Sequence, residues 1–208
     1  ATDEVALDLP VLGRYGPSAP YDSAKSEKIL AAGCAAIAER GFRDGQGRIQ
    51  ISIPSDLNAL ALLGSGDEQF LPLVKAYAEA VAKHHPGGHV SWGYAYETLF
   101  LAEYVLATGD ASVKPGLERL AMAIARGQSG VGTWGHAFAR PEGNLNGYGC
   151  MNQPGIVLTL AMVIAREAGV RSPDLDRAIA RSERFLQWYV GKGAIPYGDH
   201  SPWPDHDD

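Results

Sequence analysis

The chain has 208 residues, 46% of them hydrophobic and 20% charged, with a net charge of −6 and a pI near 5.5. That length is enough to bury one sizeable core, while the acidic balance and the lack of a Lys/Arg cluster exclude an electrostatic grip on nucleic acid. The longest apolar run, residues 155–165, falls short of the roughly 20 residues that a membrane-spanning helix needs, so no span is expected.

Residues 1–22 carry Pro10, Pro17 and Pro20 and keep no sustained period, which reads as an extended lead-in. Within it Val5, Leu7, Leu9 and Val11 alternate as in a short strand or strap. A helical domain over 23–208 follows. Its first helix is expected over 23–40, with Ile29, Leu30, Cys34, Ile37 and Ala38 on one face and Gly41 as a left-handed stop.

After a polar turn the pattern becomes a repeat. Nearly all-apolar helices are expected over 55–63, 96–108 and 155–168, ending at Gly64, Gly109 and Gly169. Each is followed by an amphipathic helix that opens near a proline, at Pro72, Pro115 and Pro173, the last behind a Ser172 cap. The amphipathic helices lead in turn to a glycine and aromatic turn ending at Gly93, Gly135 and Gly198. Such a period marks stacked helical hairpins, one helix buried all round and the other showing a polar face to water.

The stretch Gly127 to Gly155 interrupts this repeat with eight glycines. Trp134, Phe138 and Tyr148 argue for an ordered, folded-back loop, because a solvated linker has little use for large apolar side chains. Residues 130–135 match G-x-G-x-x-G, yet a helix precedes them and a polar loop follows, so a dinucleotide fingerprint is rejected. A phosphate-binding loop would also need Gly-Lys-Ser/Thr, which is absent.

Gln128, Gly132 and Trp134 read Q-x-x-x-G-x-W, which resembles the glutamine-tryptophan repeat of terpenoid-cyclase and protein-prenyltransferase alpha-alpha toroids. The resemblance implies an all-α alpha-alpha toroid with inner and outer helix layers. The other turns keep the pattern only in part: Pro86 and Val90 stand ahead of Trp92 where Gln and Gly would, and Tyr197 takes the Trp position. The lead-in and the segments around Tyr148 and Trp203 are also similar to an uncharacterised bacterial toroid family often preceded by a PDZ-like module. In the toroid families Gln128 and Trp134 would clamp consecutive helices before they would touch a ligand.

The same resemblance implies a catalytic reading of Asp205, His206, Asp207 and Asp208, a match to D-x-D-D. In class II terpene cyclases that cluster supplies the proton donor, here Asp207, because crowded carboxylates in a dry cavity hold a proton above their usual pKa. A solvated tail or a helix N-cap is the plain alternative. His200, Asp205, His206 and Asp207 have donor types that suit zinc or manganese, but no His-x-x-x-His pair accompanies them, and we assign no metal. Cys150 would act as a nucleophile only with a base beside it; His136, in the same loop, is that candidate, and an inert half-buried thiol is the plainer reading. His84, His85 and His89 near a helix end are read as favourable to the helix dipole.

In a ring of hairpins all inner helices begin at one end, so Asp56, Asn58, Tyr96, Glu97, Asn152, Gln153 and 206–208 are expected to share a mouth covered by the glycine loop. Asp56 could equally cap its own helix. Polar groups converging on an apolar cavity are the usual binding-site pattern. Tyr96, Glu97, Trp134, Tyr148, Asn152 and Gln153 are the expected substrate contacts, with Tyr96, Trp134 and Tyr148 as faces for a cationic intermediate. Three functions fit: a terpenoid-cyclase-like or prenyltransferase-like enzyme on an apolar substrate, a polysaccharide lyase or hydrolase, and a non-catalytic scaffold binding a peptide or glycan. The partners expected are a small molecule or glycan and the remainder of the same polypeptide. Neither cofactor nor compartment is assigned, export within a longer bacterial protein being one reading. The ring is expected to be incomplete, three hairpins and a half. Such a piece should be poorly soluble or oligomeric alone, and roughly 100 further residues should restore a monomer.

Overall fold

The computed structural model describes residues 24–87, 90–145 and 149–199. Among them are seven α-helices: α1 (Ala24–Arg40), α2 (Ile53–Gly64), α3 (Leu71–Val81), α4 (Val90–Thr108), α5 (Lys114–Arg126), α6 (Asn152–Glu167) and α7 (Pro173–Gln187). The strands are two residues each, β1 (Cys150–Met151) and β2 (Gly198–Asp199), paired antiparallel with Cys150 opposite Asp199. The protein is all-α, as its periodicity predicts, with no sheet beyond that short pair among the described residues.

Local chemistry explains the repeated helix starts. Ser172 accepts from the Asp174 N–H to open α7, with Pro173 in its first turn. α3 and α5 each grow from a short 3-10 turn, capped by Asp67 accepting from Gln69 and by Asp110 accepting from Ser112, with Pro72 and Pro115 in the first helical turn. A side-chain acceptor thus meets an orphan N–H just where proline needs none. Gly41, Gly109 and Gly169 take left-handed backbone at the ends of α1, α4 and α6. At α2 the left-handed residue is Gly66, not Gly64, which completes the helix.

α4 packs against α2 on one side and α6 on the other, while α3, α5 and α7 cover this layer from outside. The core between the layers holds Leu62, Tyr77, Phe100, Leu117, Leu158, Met162 and Leu175, all buried. Tyr77 lies between Phe42 and Phe100, with ring centroids 4.3 and 5.3 Å away.

Three expectations need correction. The helix expected from Tyr96 begins at Val90, so the segment around Trp92 and Gly93 is helical instead of a turn; buried Ser91 and Ala95 anchor that first stretch despite Gly93. α2, α4 and α6 are not buried all round: Leu57, Leu106, Ile156 and Leu160 are exposed, because the second helix layer covers one side only. Finally, Gln128 does not bridge helices adjacent in the chain. Its Nε2 donates to Ala178 O and Ser182 Oγ, both on α7, and to Gly132 O, which ties α5 to the next helix of the same layer.

The close approach of α3 and α5 rests on Gly116, where an added Cβ would lie 2.6 Å from Ala82 Cα. Gly116→Ala should therefore destabilise the fold by about 1–3 kcal/mol through overpacking, although alanine is the better helix former by about 1 kcal/mol. Urea denaturation checks this. A gain in stability would mean that the two helices lie further apart.

Candidate functional site

The start of α2, the α3–α4 connection and the first two turns of α4 enclose a cleft of about 290 Å³, lined by Ile51, Ile53, Pro86 and Trp92 together with Asp56, His84 and Glu97. The two carboxyl side chains reach it from neighbouring helices, and both residues are buried, at 1% and 2% exposure.

Asp56 does not cap α2; Ser52 does, its Oγ accepting from the Ser55 N–H at 3.3 Å. This frees the Asp56 carboxyl to turn inward, where Oδ1 accepts from the Tyr77 hydroxyl at 2.8 Å. Its Oδ2 is buried and has no hydrogen-bond partner. Burial pushes the Asp56 pKa up to about 8, against the opposing hydrogen bond from Tyr77 and with the added repulsion of Glu97. Desolvation, with Asp56 beside it, raises the Tyr77 phenol as well, so that group stays a donor.

Glu97 is built in the same way. Its Oε1 lies 2.8 Å from His84 Nδ1, and Oε2 is buried without a partner. Burial pushes Glu97 up to about 8, the nearby Arg119 pulling the other way. His84 is pushed down by its own burial and by Arg119. The contact is therefore a hydrogen bond between neutral partners and not an ion pair. Arg119 also fixes the turn that carries His84, donating from one guanidinium nitrogen to Ala82 O at 3.0 Å and His84 O at 2.8 Å.

A buried polar atom without a partner costs roughly 1–3 kcal/mol, so each one in a native protein calls for an explanation. Here two occur on two carboxyls beside one cleft. Trp92 completes the setting: it is half-buried, lines the cleft and stacks on Tyr96, the rings 6.2 Å apart and nearly parallel.

The other expected contacts are distributed as follows. Trp134 is fully buried and donates from Nε1 to Ile124 O at 3.0 Å, so its ring belongs to the core. Asn152, at the start of α6, is buried and donates to Tyr189 Oη and Pro196 O, while Gln153 is exposed. His136 is half-buried, and its carbonyl accepts from the Ser91 N–H, which holds the glycine loop to the start of α4. Tyr148, His200, Asp205, His206, Asp207 and Asp208 lie outside the described residues, as does His89. The structure thus joins Glu97 to Asp56 and leaves Asn152 in a separate polar contact. It also brings in His84, Tyr77 and Trp92, which sequence reasoning did not assign to the site. His84 is no mere dipole partner, since it meets a buried carboxyl; its place at an outer-helix end was the available signal.

Both carboxyls hold their protons more tightly folded than unfolded. Their stabilising contribution is complete below about pH 4, where the unfolded chain also keeps its protons, and is lost as pH rises toward about 8. Each group adds a slope of at most about 1.4 kcal/mol per pH unit over that window. Unfolding midpoints in urea should consequently fall between pH 5 and 8, and Asp56→Asn should flatten the fall. A parent stability that rises across this range would contradict the assignment.

A family model described as a domain of unknown function (DUF6288) matches residues 26–208, and the chain belongs to that family. No curated protein and no solved structure matches the chain.

Proposed function

We propose that the cleft between α2 and α4 is an acid–base active site that hydrolyses a glycosidic bond in a polysaccharide or oligosaccharide. The observation that carries this reading is the pair Asp56 and Glu97, two buried carboxyls beside one cleft, each with one oxygen held and the other unpartnered. Glycoside hydrolysis needs two carboxyl groups in opposite protonation states. Neighbouring carboxyls favour that division, because ionising one raises the cost of ionising the other.

The hydrogen bonds suggest the roles. The Tyr77 hydroxyl lowers the cost of ionising Asp56, so as pH approaches 8 Asp56 is the carboxyl that gives up its proton and becomes the base that takes one from water. In the tautomer in which His84 Nδ1–H donates to Oε1, the Glu97 proton sits on Oε2 and is the one passed to the leaving-group oxygen. The bond from the anomeric carbon to that oxygen breaks, water adds to the carbon, and the two carboxyls exchange protonation states. Trp92, with Tyr96 stacked behind it, offers an apolar face for a sugar ring. The terpenoid-cyclase-like reading stands instead on Asp205, His206 and Asp207, which lie outside the described residues. We also read the two layers as part of an alpha-alpha toroid, with α2, α4 and α6 inside.

The test is to incubate the full-length polypeptide with panels of neutral polysaccharides, uronic-acid polymers and isoprenoid diphosphates. New reducing ends that appear from a polysaccharide and disappear in Glu97→Gln are the expected result. Turnover of isoprenoids alone, or unsaturated products from the uronic-acid polymers, would replace hydrolysis with cyclisation or with lyase chemistry. Glycan or peptide binding without turnover would leave a scaffold.

A further inference from the structure

The last turns of α7 and the loop after α5 form a second cavity of about 430 Å³, lined by Gly130, Val131, Arg181, Arg184, Phe185, Gln187 and Trp188. We propose that it binds the carboxylate of an acidic oligosaccharide, with Arg184 and Arg181 taking the charge and Trp188 lying against the sugar. The site uses none of the cleft's residues, and the proposal stands whether or not the cleft hydrolyses anything.

Positions 181, 184 and 188 fall on one face of α7, spaced by three and four residues. Arg181 is oriented by its surroundings: its Nε donates to Gln128 Oε1 at 2.7 Å, and Gln128 is itself locked to α7 through Ala178 and Ser182. The two terminal nitrogens of that guanidinium remain for a ligand. Among the described residues neither Arg181 nor Arg184 meets a carboxylate, whereas Arg177, one turn earlier, is paired with Asp174. Lys192 lies 3.6 Å over the Trp188 ring, which puts a third cation beside the indole. In a chain of net charge −6, three cations around an indole, with no acidic residue among the cavity's own lining, make a local anion site. The planar fork of arginine suits a carboxylate.

The setting favours a sugar over an acidic peptide. Trp188 is 44% exposed, and the ring face opposite Lys192 is the one left for a sugar. Through Gly130 and Val131 the cavity adjoins a second trough of about 390 Å³, lined by Ser129, Glu142, Asn144, Leu145 and the backbone of Gly143. The Asn144 amide and the main chain of this trough suit sugar hydroxyls, and Glu142 can accept from one, so the trough takes the hydroxyls and the sugar carboxylate stays at Arg181 and Arg184. The loop that carries the trough is also tied to the start of α4, beside the cleft residue Trp92, by the Ser91 N–H donating to His136 O.

The experiment is calorimetric titration of the full-length protein at low salt with an oligogalacturonate. A neutral glucan oligomer of equal length, a polyglutamate peptide and inorganic phosphate serve as competing probes. Saturable binding of the oligogalacturonate is expected, at least tenfold tighter than any of the other three. Arg184→Gln and Trp188→Ala should each weaken it about tenfold or more, and Arg177→Gln should leave it unchanged. Absence of oligogalacturonate binding, equal binding of polyglutamate or phosphate, or equal loss in Arg177→Gln would overturn the proposal.

Discussion

Replacing Trp134 by alanine should cost about 3–5 kcal/mol of folding stability, the range for deleting a large core aromatic. The side chain is 0% exposed and is among the largest fully buried groups. Its loss would also strip Ile124 O of the Nε1–H donor it holds at 3.0 Å, leaving a helix-end carbonyl unpaired in the interior. The strand residue Met151 is fixed to residue 134 by its backbone N–H at 2.9 Å, which holds that side of the space in place. Guanidinium unfolding of the parent and the variant reads the difference directly. A change within roughly 0.5 kcal/mol would be the behaviour of a surface residue and would remove the anchor of the α5–α6 connection.

Trp134 was legible from its spacing to Gln128 and Gly132, and the reason is physical. The glycine has a positive φ of 101°, and an added Cβ there would come within 2.8 Å of the Arg181 carbonyl carbon. A turn that brings backbone so close to α7 needs glycine, and the tryptophan fills the space behind it. Helix order was legible for similar local reasons: the Ser172, Asp67 and Asp110 caps lie within a few residues of the prolines they precede.

The site was legible only in part. Glu97 is expected at an inner-helix start, yet α4 begins at Val90 and carries Glu97 at the end of its second turn, and its partner His84 comes from the end of another helix, 13 positions earlier. Asp56 looks like a helix-dipole acid because it stands in the first turn of α2, and only the fold turns it toward Tyr77, 21 positions on. The early start of α4 was hidden by Gly93, a residue that ordinarily interrupts a helix. There, however, an added Cβ would press on Pro86, so glycine lets the turn before α4 pack against the helix.

Asp56→Asn and Glu97→Gln should each lower turnover by about 10²- to 10⁴-fold, the usual contribution of a positioned acid or base. Neither should unfold the protein. An amide keeps an oxygen that can accept from Tyr77 or His84, and it removes the cost of ionising a buried group. At pH 8 and above the amide variants should therefore be at least as stable as the parent, which separates a chemical role from a structural one. Loss of turnover accompanied by a matching loss of stability would assign the pair to the core alone.

The most direct measurement is a carbon-detected NMR titration of the side-chain carboxyls, with Asp56 and Glu97 assigned from their amide variants. The first ionisation of the pair should come near 8, and the charge it leaves should push the second above that. If both carbons titrate near pH 4, the cleft holds two ordinary carboxylates, both ionised at neutral pH, and it has no proton to give.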